Sequence, residues 1–278
     1  MCRLYAMRAT EPTRVECSLV HAQNALMQQS IGDAEGLAHG HGWGVADYAD
    51  TVPLIEKQTW AAWHGEHFRK TAARVYAKTV VAHVRHATVG GHSVENTHPF
   101  RNGRWIFAHN GTVPHFADVR DLMIEHIDPV LRNDIKGVTD SEHIFYYLLS
   151  LHMRHPETPL QQTVGRGLQR IIQWSQSVQV EEPPALNIVL TDGEQLVGSR
   201  YGRTLWHLVR TEVTVCGICG RKHVQHESGQ DYRAIEIASE PISGENWKPF
   251  ADGVVYSIDK DFHFSIEPIL QAAGAAAA

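Results

Sequence analysis

An α+β fold, in which sheets pack between helical layers within one domain, is predicted by three features of the sequence. Apolar segments of strand length open the chain, helical patterns dominate its middle, and short strand patterns separated by turn signals return after residue 185. Each strand and helix must bury an apolar face, and layers of helices on sheets satisfy that need.

The first part of the chain supplies most of the long predicted strands. Residues 2–7 alternate as a strand does, and the segment after the glycine-rich HGHG stretch is predicted to pair with the segment after Pro53. Two later segments are rich in Val, Ile and aromatic residues, which is typical of buried strands, and both end in polar residues. The predicted strands are 2–7, 43–48, 54–58, 79–85 and 104–110, and the predicted helices are 16–30 and 64–77.

The second part of the chain holds a helical block followed by short strands. Helical patterns occupy residues 115–126, 141–153 and 160–177, and the segment from Thr139 to Glu142 is a suitable capped start for the second of them. We expect the later strands, with turns such as Asp192-Gly193 between them, to form an antiparallel meander. These strands are 186–191, 194–200, 204–209, 232–239 and 253–259. A single domain is expected over 2–268, with a low-complexity tail at 269–278.

Composition favours small-molecule chemistry. The 278 residues carry a formal net charge of −6, so the broad basic field of a nucleic-acid-binding protein is missing. The first residues lack the apolar segment of a signal peptide, and no apolar run is long enough to span a bilayer, which predicts a cytoplasmic protein without a membrane partner. Four cysteines are too few for a disulfide framework, so each needs its own explanation.

Cys2 directly follows the initiator methionine, and a small second residue generally permits removal of Met1. The mature chain would then begin with a cysteine whose free α-amino group, with a pKa of about 7.7–8.0, can accept the thiol proton. Nucleophile and base would belong to the same residue. The alternative is an apolar cysteine at the start of a buried strand, which position alone favours.

Polar residues that follow the buried strands are candidates for binding and catalysis. Arg85 and, three residues on, Thr88 could hold a substrate carboxylate, although a surface ion pair explains Arg85 equally well. Asn110 and Gly111 could form an oxyanion hole from a side-chain amide and a backbone N–H, although Asn-Gly is also a common turn. Asp140 could bind a substrate ammonium or cap the helix that it begins.

Together and in this order, Cys2, VRHAT at 84–88, AHNG at 108–111 and TDSE at 139–142 resemble the class II glutamine amidotransferases. The chain is also similar to a small stand-alone branch of that family through GWG at 42–44, ENTHPF at 95–100 and ASEPISGENW at 238–247. That branch includes small bacterial glutamine amidotransferases and the γ-glutamyl amidohydrolase of ergothioneine synthesis. The resemblance spans residues 2 to about 260.

The resemblance implies a four-layer αββα sandwich of the N-terminal-nucleophile hydrolase type, with two antiparallel sheets between helical layers. It further implies that Cys2 is the nucleophile and that Asn110 and Gly111 stabilise the oxyanion. Arg85 and Thr88 would hold the substrate α-carboxylate, and Asp140 the α-ammonium.

An enclosed pocket needs hydrogen-bonded support around the residues that contact the substrate. We expect that support from His86, His98 and Trp43, together with Glu95 and Asn96. His86 occupies a position where the larger family often has Trp or Tyr, so the resemblance does not fix the shape of the pocket wall there. Five other histidines form no recognised ligand spacing and are predicted to be solvated or to cap helices, namely His21, His39, His41, His64 and His67.

A second pattern indicates a metal. Cys216, Cys219, His223 and His226 lie within eleven residues in a predicted hairpin loop, and thiolates with imidazoles suit zinc. With 19 histidines in the chain, some fall near cysteines by accident, so chance is the alternative. Four protein ligands would leave no open position for water. Such a zinc would be structural, and no cofactor is expected for catalysis.

The sequence is therefore consistent with two functions. The first is an amidohydrolase that cleaves the γ-amide of glutamine or of a γ-glutamyl compound through a Cys2 γ-glutamyl thioester, and that either releases the amine or feeds ammonia to a separate synthase. The second is a catalytically silent ligand-binding protein with the same fold and a zinc-braced loop, because a fold never guarantees activity.

Overall fold

Two antiparallel sheets lie face to face in the computed structural model, which describes residues 2–87, 90–178, 181–225 and 231–269. Two of the predicted site residues, Thr88 and His226, lie outside the described residues, as do Met1 and the tail from 270 onwards. Among the described residues, no helix combines the length and the apolar character needed to cross a bilayer.

Most strands lie on predicted segments, but the first continues to Arg14, beyond the predicted 2–7, and the strand predicted at 79–85 begins at Tyr76, within the predicted helix 64–77. Strands Phe100–Asn102, Lys248–Pro249 and Phe264–Pro268 were not predicted. The strands are β1 Arg3–Arg14, β2 Trp43–Tyr48, β3 Leu54–Gln58, β4 Tyr76–Val84, β5 Phe100–Asn102, β6 Trp105–Thr112, β7 Ala185–Thr191, β8 Leu196–Arg200, β9 Trp206–Arg210, β10 Ala234–Ala238, β11 Lys248–Pro249, β12 Val254–Ile258 and β13 Phe264–Pro268. Within the described ranges, the first sheet has the order β11-β9-β10-β1-β4-β2-β3, and the second has the order β13-β12-β8-β7-β6-β5.

The helices cover the outer face of each sheet. They are a π-helical segment Cys17–His21, α1 Leu26–Ile31, α2 His67–Arg74, α3 Phe116–His126, α4 Pro129–Arg132, α5 Asp140–Arg154 and α6 Leu160–Val178. The π-helical segment, α1 and α2 share a buried apolar cluster with the first sheet, while α3, α5 and α6 share another with the second. A third cluster fills the space between the sheets. The predicted four-layer αββα sandwich is confirmed.

The helix predicted at 16–30 is wrong as a single element. The chain is extended at Ala22 and Ala25, which separates the π-helical segment from α1. Between them Asn24 donates its side-chain amide to the Pro241 carbonyl oxygen at 2.8 Å and to Glu240 at 3.3 Å. A contact with a distant segment therefore overrides the local helical spacing.

The single meander predicted after residue 185 is also wrong. Strands β7, β8, β12 and β13 belong to the second sheet, whereas β9, β10 and β11 belong to the first. Strand β10 pairs with β1, with Tyr5 opposite Ala238. Alternation of apolar residues shows that a strand has a buried face, but it does not say which sheet provides the partner.

Candidate active site

The alternation of side chains along β1 determines where Cys2 points. Leu4 and Ala6 lie in the apolar cluster between the two sheets, whereas Tyr5 and Met7 pack against the helices on the outer face. Side chains two residues apart share a face of a strand. Cys2 precedes β1 by one position and so continues the inner face, where it is half-buried.

The same alternation places two further candidate residues between the two sheets, near Cys2. In β4, Val81 lies between the sheets, so Arg85, four positions on, follows the same face. In β6, Ala108 lies between the sheets, so Asn110 does too. Arg85 is 2% exposed and Asn110 is 1% exposed. Three strand ends from both sheets thus direct their side chains into one region.

The thiol of Cys2 is held by the backbone of His86. The sulfur accepts a hydrogen bond from the His86 N–H at 3.4 Å and lies 3.4 Å from the His86 carbonyl oxygen. Burial raises the pKa of the Cys2 thiol, although the hydrogen bond from His86 and the positive charge of Arg85 act in the opposite direction. The thiol is therefore protonated at neutral pH.

The guanidinium of Arg85 is fixed by a loop next to Cys2. It donates to the carbonyl oxygens of Gly91 at 3.0 Å and Gly90 at 3.3 Å. Burial lowers the pKa of Arg85, while the charges of Cys2 and Asp140 act to raise it. A planar guanidinium with five N–H donors that is held in this way is suited to a carboxylate.

Asn110 is positioned by a residue from the far end of the sequence. Its side-chain Nδ2 donates to the hydroxyl of Ser239 at 3.1 Å, and that hydroxyl also accepts the Leu4 N–H at 3.0 Å. Nδ2 carries two hydrogens, so the bond to Ser239 leaves a second donor for another oxygen. The orientation of the amide is thereby tied to β1, close to Cys2.

Gly111 follows Asn110 where no side chain fits. A Cβ at this position would overlap the carbonyl group of Ala185 and the ring of His109. That ring is held on both sides, with Nε2 2.9 Å from the Ala185 carbonyl oxygen and Nδ1 2.9 Å from the Ser141 hydroxyl. Gly111 is thus required by close approach of neighbouring groups, and the alternative of a simple Asn-Gly turn does not apply because both residues belong to β6.

Asp140 begins α5 but does not cap it. Thr139 is the N-cap, and its hydroxyl accepts the Glu142 N–H at 3.2 Å. The carboxylate of Asp140 accepts the Val113 N–H at 2.7 Å and the Ser141 N–H at 2.8 Å, and it is 4% exposed. Because Val113 follows β6, the carboxylate lies beside the strand end that carries Asn110. Its negative charge contributes to raising the pKa of the Cys2 thiol.

A buried charged network beside Cys2 was not predicted from the sequence. Arg3 donates to the Cys2 carbonyl oxygen at 3.0 Å and forms ion pairs with Asp33 at 2.6 Å and Glu240 at 2.8 Å. Asp33 also contacts His39 Nε2 at 2.9 Å. Arg3 falls on the buried outer face of β1, and a buried arginine requires acidic partners, which was the available signal.

The prediction that His39 is solvated or caps a helix is wrong. Its side chain is fully buried, and burial together with the charge of Arg3 lowers its pKa to about 4, in spite of the hydrogen bond to Asp33. The imidazole is therefore neutral near pH 7.

The three residues expected to support the pocket lie in different places. Trp43 is buried on the outer face of the first sheet against Phe68 of α2, with ring centroids 5.1 Å apart, so it supports the sheet from the helical side. His98 stacks on His83 at 4.2 Å. His86 contributes its backbone to Cys2, whereas its Nδ1 lies 2.9 Å from the Ala38 carbonyl oxygen.

The ENTHPF segment connects the loop around Arg85 to α5. The Asn96 side chain donates to the Gly91 carbonyl oxygen at 3.3 Å and accepts the Val138 N–H at 3.1 Å. Glu95 is exposed. Burial lowers the pKa of His98 well below its usual value and lowers that of His83 to about 3, so both stacked rings are neutral.

The candidate metal ligands lie together at a site separate from Cys2, Arg85 and Asn110, and the set differs from the predicted one by one residue. Cys216, Cys219 and His223 converge, and Cys17 joins them. His226 lies outside the described residues.

A family model for class II glutamine amidotransferases matches residues 1–262. The chain belongs to this family. Among its relatives, a Saccharomyces cerevisiae protein named "Probable glutamine amidotransferase DUG3" is 27% identical over 297 residues, covering 94% of this chain and 82% of the yeast protein. The γ-glutamyl-hercynylcysteine sulfoxide hydrolase of Mycobacterium tuberculosis is 28% identical over 182 residues, covering 65% of this chain and 67% of that protein.

Solved structures of other class II glutamine amidotransferases share the fold. A class II domain protein from Silicibacter pomeroyi superposes with a TM-score of 0.62 at 20% identity and covers 96% of this chain and 99% of that one. Glutamine phosphoribosylpyrophosphate amidotransferase from Bacillus subtilis gives a TM-score of 0.62 at 15% identity, over 98% of this chain and 50% of that one. At these identities the likeness establishes the architecture.

Proposed function

We propose that this class II glutamine amidotransferase is an amidohydrolase that cleaves the γ-amide of glutamine or of a γ-glutamyl compound, with Cys2 as the nucleophile. One observation carries the proposal. The Cys2 sulfur, held by the His86 backbone, shares one inter-sheet region with a fixed guanidinium, a buried carboxylate and an oriented amide. These groups complement an α-amino acid whose side chain ends in a carbonyl.

The first step is binding of the glutamyl group. The substrate α-carboxylate pairs with Arg85, assisted by the Thr88 hydroxyl, and the α-ammonium pairs with Asp140. Arg85 and Asp140 are both buried, so their charges are weakly screened and favour a substrate that brings the opposite charges. Binding at both ends directs the γ-amide towards Cys2.

The second step is attack on the γ-carbonyl carbon. Once Met1 is removed, the neutral α-amino group of Cys2 takes the thiol proton, and the sulfur forms a bond to the carbonyl carbon. This base is needed because burial raises the pKa of the thiol. The negative charge moves to the carbonyl oxygen, which accepts hydrogen bonds from Asn110 Nδ2 and the Gly111 N–H.

The third step is collapse and hydrolysis. The oxyanion re-forms the carbonyl, the C–N bond breaks, and the amine leaves with the proton held by the α-ammonium of Cys2. A γ-glutamyl thioester results. Water then gives a proton to the α-amino group and attacks the thioester carbon, the C–S bond breaks, and glutamate is released while the thiol regains its proton.

The nature of the leaving group divides the proposal into two forms. The relative from Mycobacterium tuberculosis is named as a hydrolase of a γ-glutamyl compound, whereas the yeast relative is named as an amidotransferase. We propose hydrolysis of γ-glutamyl substrates by the isolated chain as the first form. Delivery of ammonia to a separate synthase is the second, and retention of a synthase during affinity purification would support it.

A labelling experiment tests the nucleophile. The intact mass of the purified protein reports removal of Met1, and a diazoketone analogue of glutamine should add to Cys2 while the other three cysteines stay unlabelled in peptide maps. Cys2→Ala should fold normally and lose hydrolysis of glutamine and γ-glutamyl amides. A folded Cys2→Ala protein that hydrolyses them at the wild-type rate contradicts the proposal, and a wild-type protein without Met1 that turns over neither substrate favours the silent binding protein.

A paired-substrate experiment tests the role of Asp140. Asp140→Asn should raise KM for glutamine by about 10- to 100-fold, because an interaction with a charged group is lost. Glutaramate, which has the amide and the carboxylate but no α-ammonium, should be hydrolysed equally poorly by the wild-type and variant proteins. Equal losses on both substrates would instead assign Asp140 a purely structural role.

A further inference from the structure

Three thiols and one imidazole converge at a site distinct from the candidate active site. Cys17 lies at the start of the π-helical segment, and Cys216, Cys219 and His223 lie in the connection between β9 and β10. One ligand atom from each of these four residues lies within 4.8 Å of all the others. We propose that these four side chains bind a structural zinc ion, with Cys17 as a ligand from outside the hairpin.

The separations suit tetrahedral zinc. With Zn–S bonds of about 2.3 Å and Zn–N bonds of about 2.0–2.1 Å, ligand atoms on neighbouring corners of a tetrahedron are about 3.5–3.8 Å apart. Cys219 Sγ lies 3.4 Å from His223 Nε2. The remaining separations, at up to 4.8 Å, require only small side-chain shifts to reach coordination distance.

The hairpin that carries two of the cysteines has a geometry that favours thiolates. Val215 pairs with Lys222, Cys216 N donates to the Arg221 carbonyl oxygen at 2.9 Å, and Gly220 N donates to the Cys216 carbonyl oxygen at 2.9 Å. The Ile218 N–H points at Cys216 Sγ, 3.4 Å away. An N–H directed at sulfur stabilises its anionic form, which is the form that binds metal.

Gly220 permits this turn because its φ is +68°, a backbone conformation that side chains other than glycine rarely adopt. The chain then reverses directly after Cys219 and brings His223 back beside that cysteine. Gly220 thus has a specific role in the CGICG sequence.

The loop is also attached to the chain just before Cys17. Arg14 N donates to the His223 carbonyl oxygen at 2.9 Å, so the backbone at His223 lies against the end of β1. Cys17 follows three residues later and is 4% exposed. A backbone hydrogen bond therefore holds the two segments together independently of any metal. The fold itself thus places Cys17, the proposed fourth ligand, beside the other three.

The donor set selects the metal and its role. Soft thiolates with one imidazole in a tetrahedral arrangement favour zinc over the oxygen-binding cations. Four protein ligands close the coordination shell, so this zinc braces the fold and activates no water. A disulfide would join two of the sulfurs and leave the third sulfur and the imidazole unexplained.

The proposed zinc ion would stabilise the first sheet, which includes β1. The connection it holds leads into β10, which pairs with β1, and β1 begins directly after Cys2. Fixing this loop therefore stabilises the pairing of the first sheet without adding a group to the reacting centre.

Metal analysis of the full chain tests the proposal. Protein purified without chelator should contain one zinc ion per chain by mass spectrometry of the element, and cobalt substitution should give the intense thiolate charge-transfer band of a tetrahedral site with three sulfurs. Cys17→Ser should lose zinc and weaken that band, whereas the matched variant His226→Asn should keep both. Retention of zinc by Cys17→Ser with loss in His226→Asn would overturn the ligand assignment.

Two measurements on the wild-type chain keep the test decisive if Cys17→Ser does not fold. A strong chelator should remove the zinc, lower the thermal midpoint by several degrees and make three thiols reactive in addition to Cys2, and added zinc should reverse all three changes. Substoichiometric metal after expression in zinc-supplemented medium, or a disulfide among Cys17, Cys216 and Cys219, would overturn the proposal.

Discussion

Asn110 of the second sheet donates its side-chain amide to the hydroxyl of Ser239, which follows β10 of the first sheet, at a distance of 3.1 Å. The same hydroxyl accepts the Leu4 N–H at 3.0 Å. Ser239 therefore joins the two sheets beside Asn110, the proposed oxyanion donor. We therefore expect Ser239 to act by orienting the Asn110 side chain.

Ser239→Ala should lower kcat by about tenfold and change KM little. The variant loses the hydrogen bond that orients Asn110, and one such bond contributes about 0.5–1.5 kcal/mol. A loss of about 1.4 kcal/mol from transition-state stabilisation is a tenfold loss in rate. Steady-state kinetics with glutamine or the preferred γ-glutamyl amide provides the measurement.

Ser150→Ala is the matched control. Ser150 is also fully buried, and its hydroxyl accepts a backbone N–H, from Asp128 at 2.8 Å, but it lies in α5. This variant should lose stability and keep kcat. Equal effects of the two variants on kcat would show that Ser239 acts through general stability alone.

Gly111→Ala should destabilise the protein by about 1–3 kcal/mol and remove most activity. The added methyl group overlaps the Ala185 carbonyl group and the His109 ring, so β6 and β7 must move apart where the backbone donor lies. Chemical unfolding and activity assays check this result. Gly32→Ala, whose new Cβ meets nothing within 4 Å, should behave as wild type, and an active, stable Gly111→Ala protein would refute the steric argument.

Arg3→Met should cost about 3–5 kcal/mol of unfolding free energy, because it leaves Asp33 and Glu240 buried without their cation. The ion pairs at 2.6 and 2.8 Å are almost completely shielded from solvent. Arg120→Met is the control, since the Arg120–Asp121 pair is exposed and should contribute less than about 0.5 kcal/mol. Urea unfolding of both variants measures the loss of unfolding free energy at the buried and the exposed ion pair. Equal losses would argue against a buried network.

Stability should fall as the solution is acidified below about pH 6.5. The pKa of His83 is about 3 and that of His39 about 4 in the folded protein, against about 6.5 for an unfolded histidine. Between these values the unfolded chain binds more protons, so each histidine reduces the unfolding free energy by up to about 1.4 kcal/mol per pH unit as pH falls. Above about pH 6.5 the full contribution of the neutral rings is present.

Urea unfolding at pH 7 and pH 5 measures this dependence. His83→Gln should make the difference between the two pH values smaller than in wild type, while the exposed His64→Gln should leave it unchanged. An unchanged difference in His83→Gln would show that His83 is not one of the linked groups.

Local patterns predicted the elements and the core motifs of the site well. Strands 43–48 and 54–58 were predicted at their observed bounds, and the αββα layers follow from the family resemblance. Cys2 was a candidate because it follows Met1, whereas Arg85, Asn110 and Asp140 were candidates because each lies at a strand or helix end, where polar side chains can meet. The structure places all four in one region.

Contacts between distant segments explain most of what the sequence could not reveal. Spacing within 216–226 suggested His226, which lies outside the described residues, as a metal ligand. The structure instead reveals that Cys17 lies beside Cys216, Cys219 and His223, where Arg14 N donates to the His223 carbonyl oxygen. Similarly, Trp43 in the GWG motif lies on the helical face. Its position relative to Cys2 depends on how β2 is registered against β4, which alternation alone does not determine.

The position of β10 beside β1 has a consequence for protein synthesis. During translation β1 is made long before Ser239 and Glu240, which orient Asn110 and pair with Arg3. A nascent or truncated polypeptide thus carries its thiol without the groups that position it. Under the proposed function, we therefore expect a polypeptide truncated before Ser239 to lack amide hydrolysis.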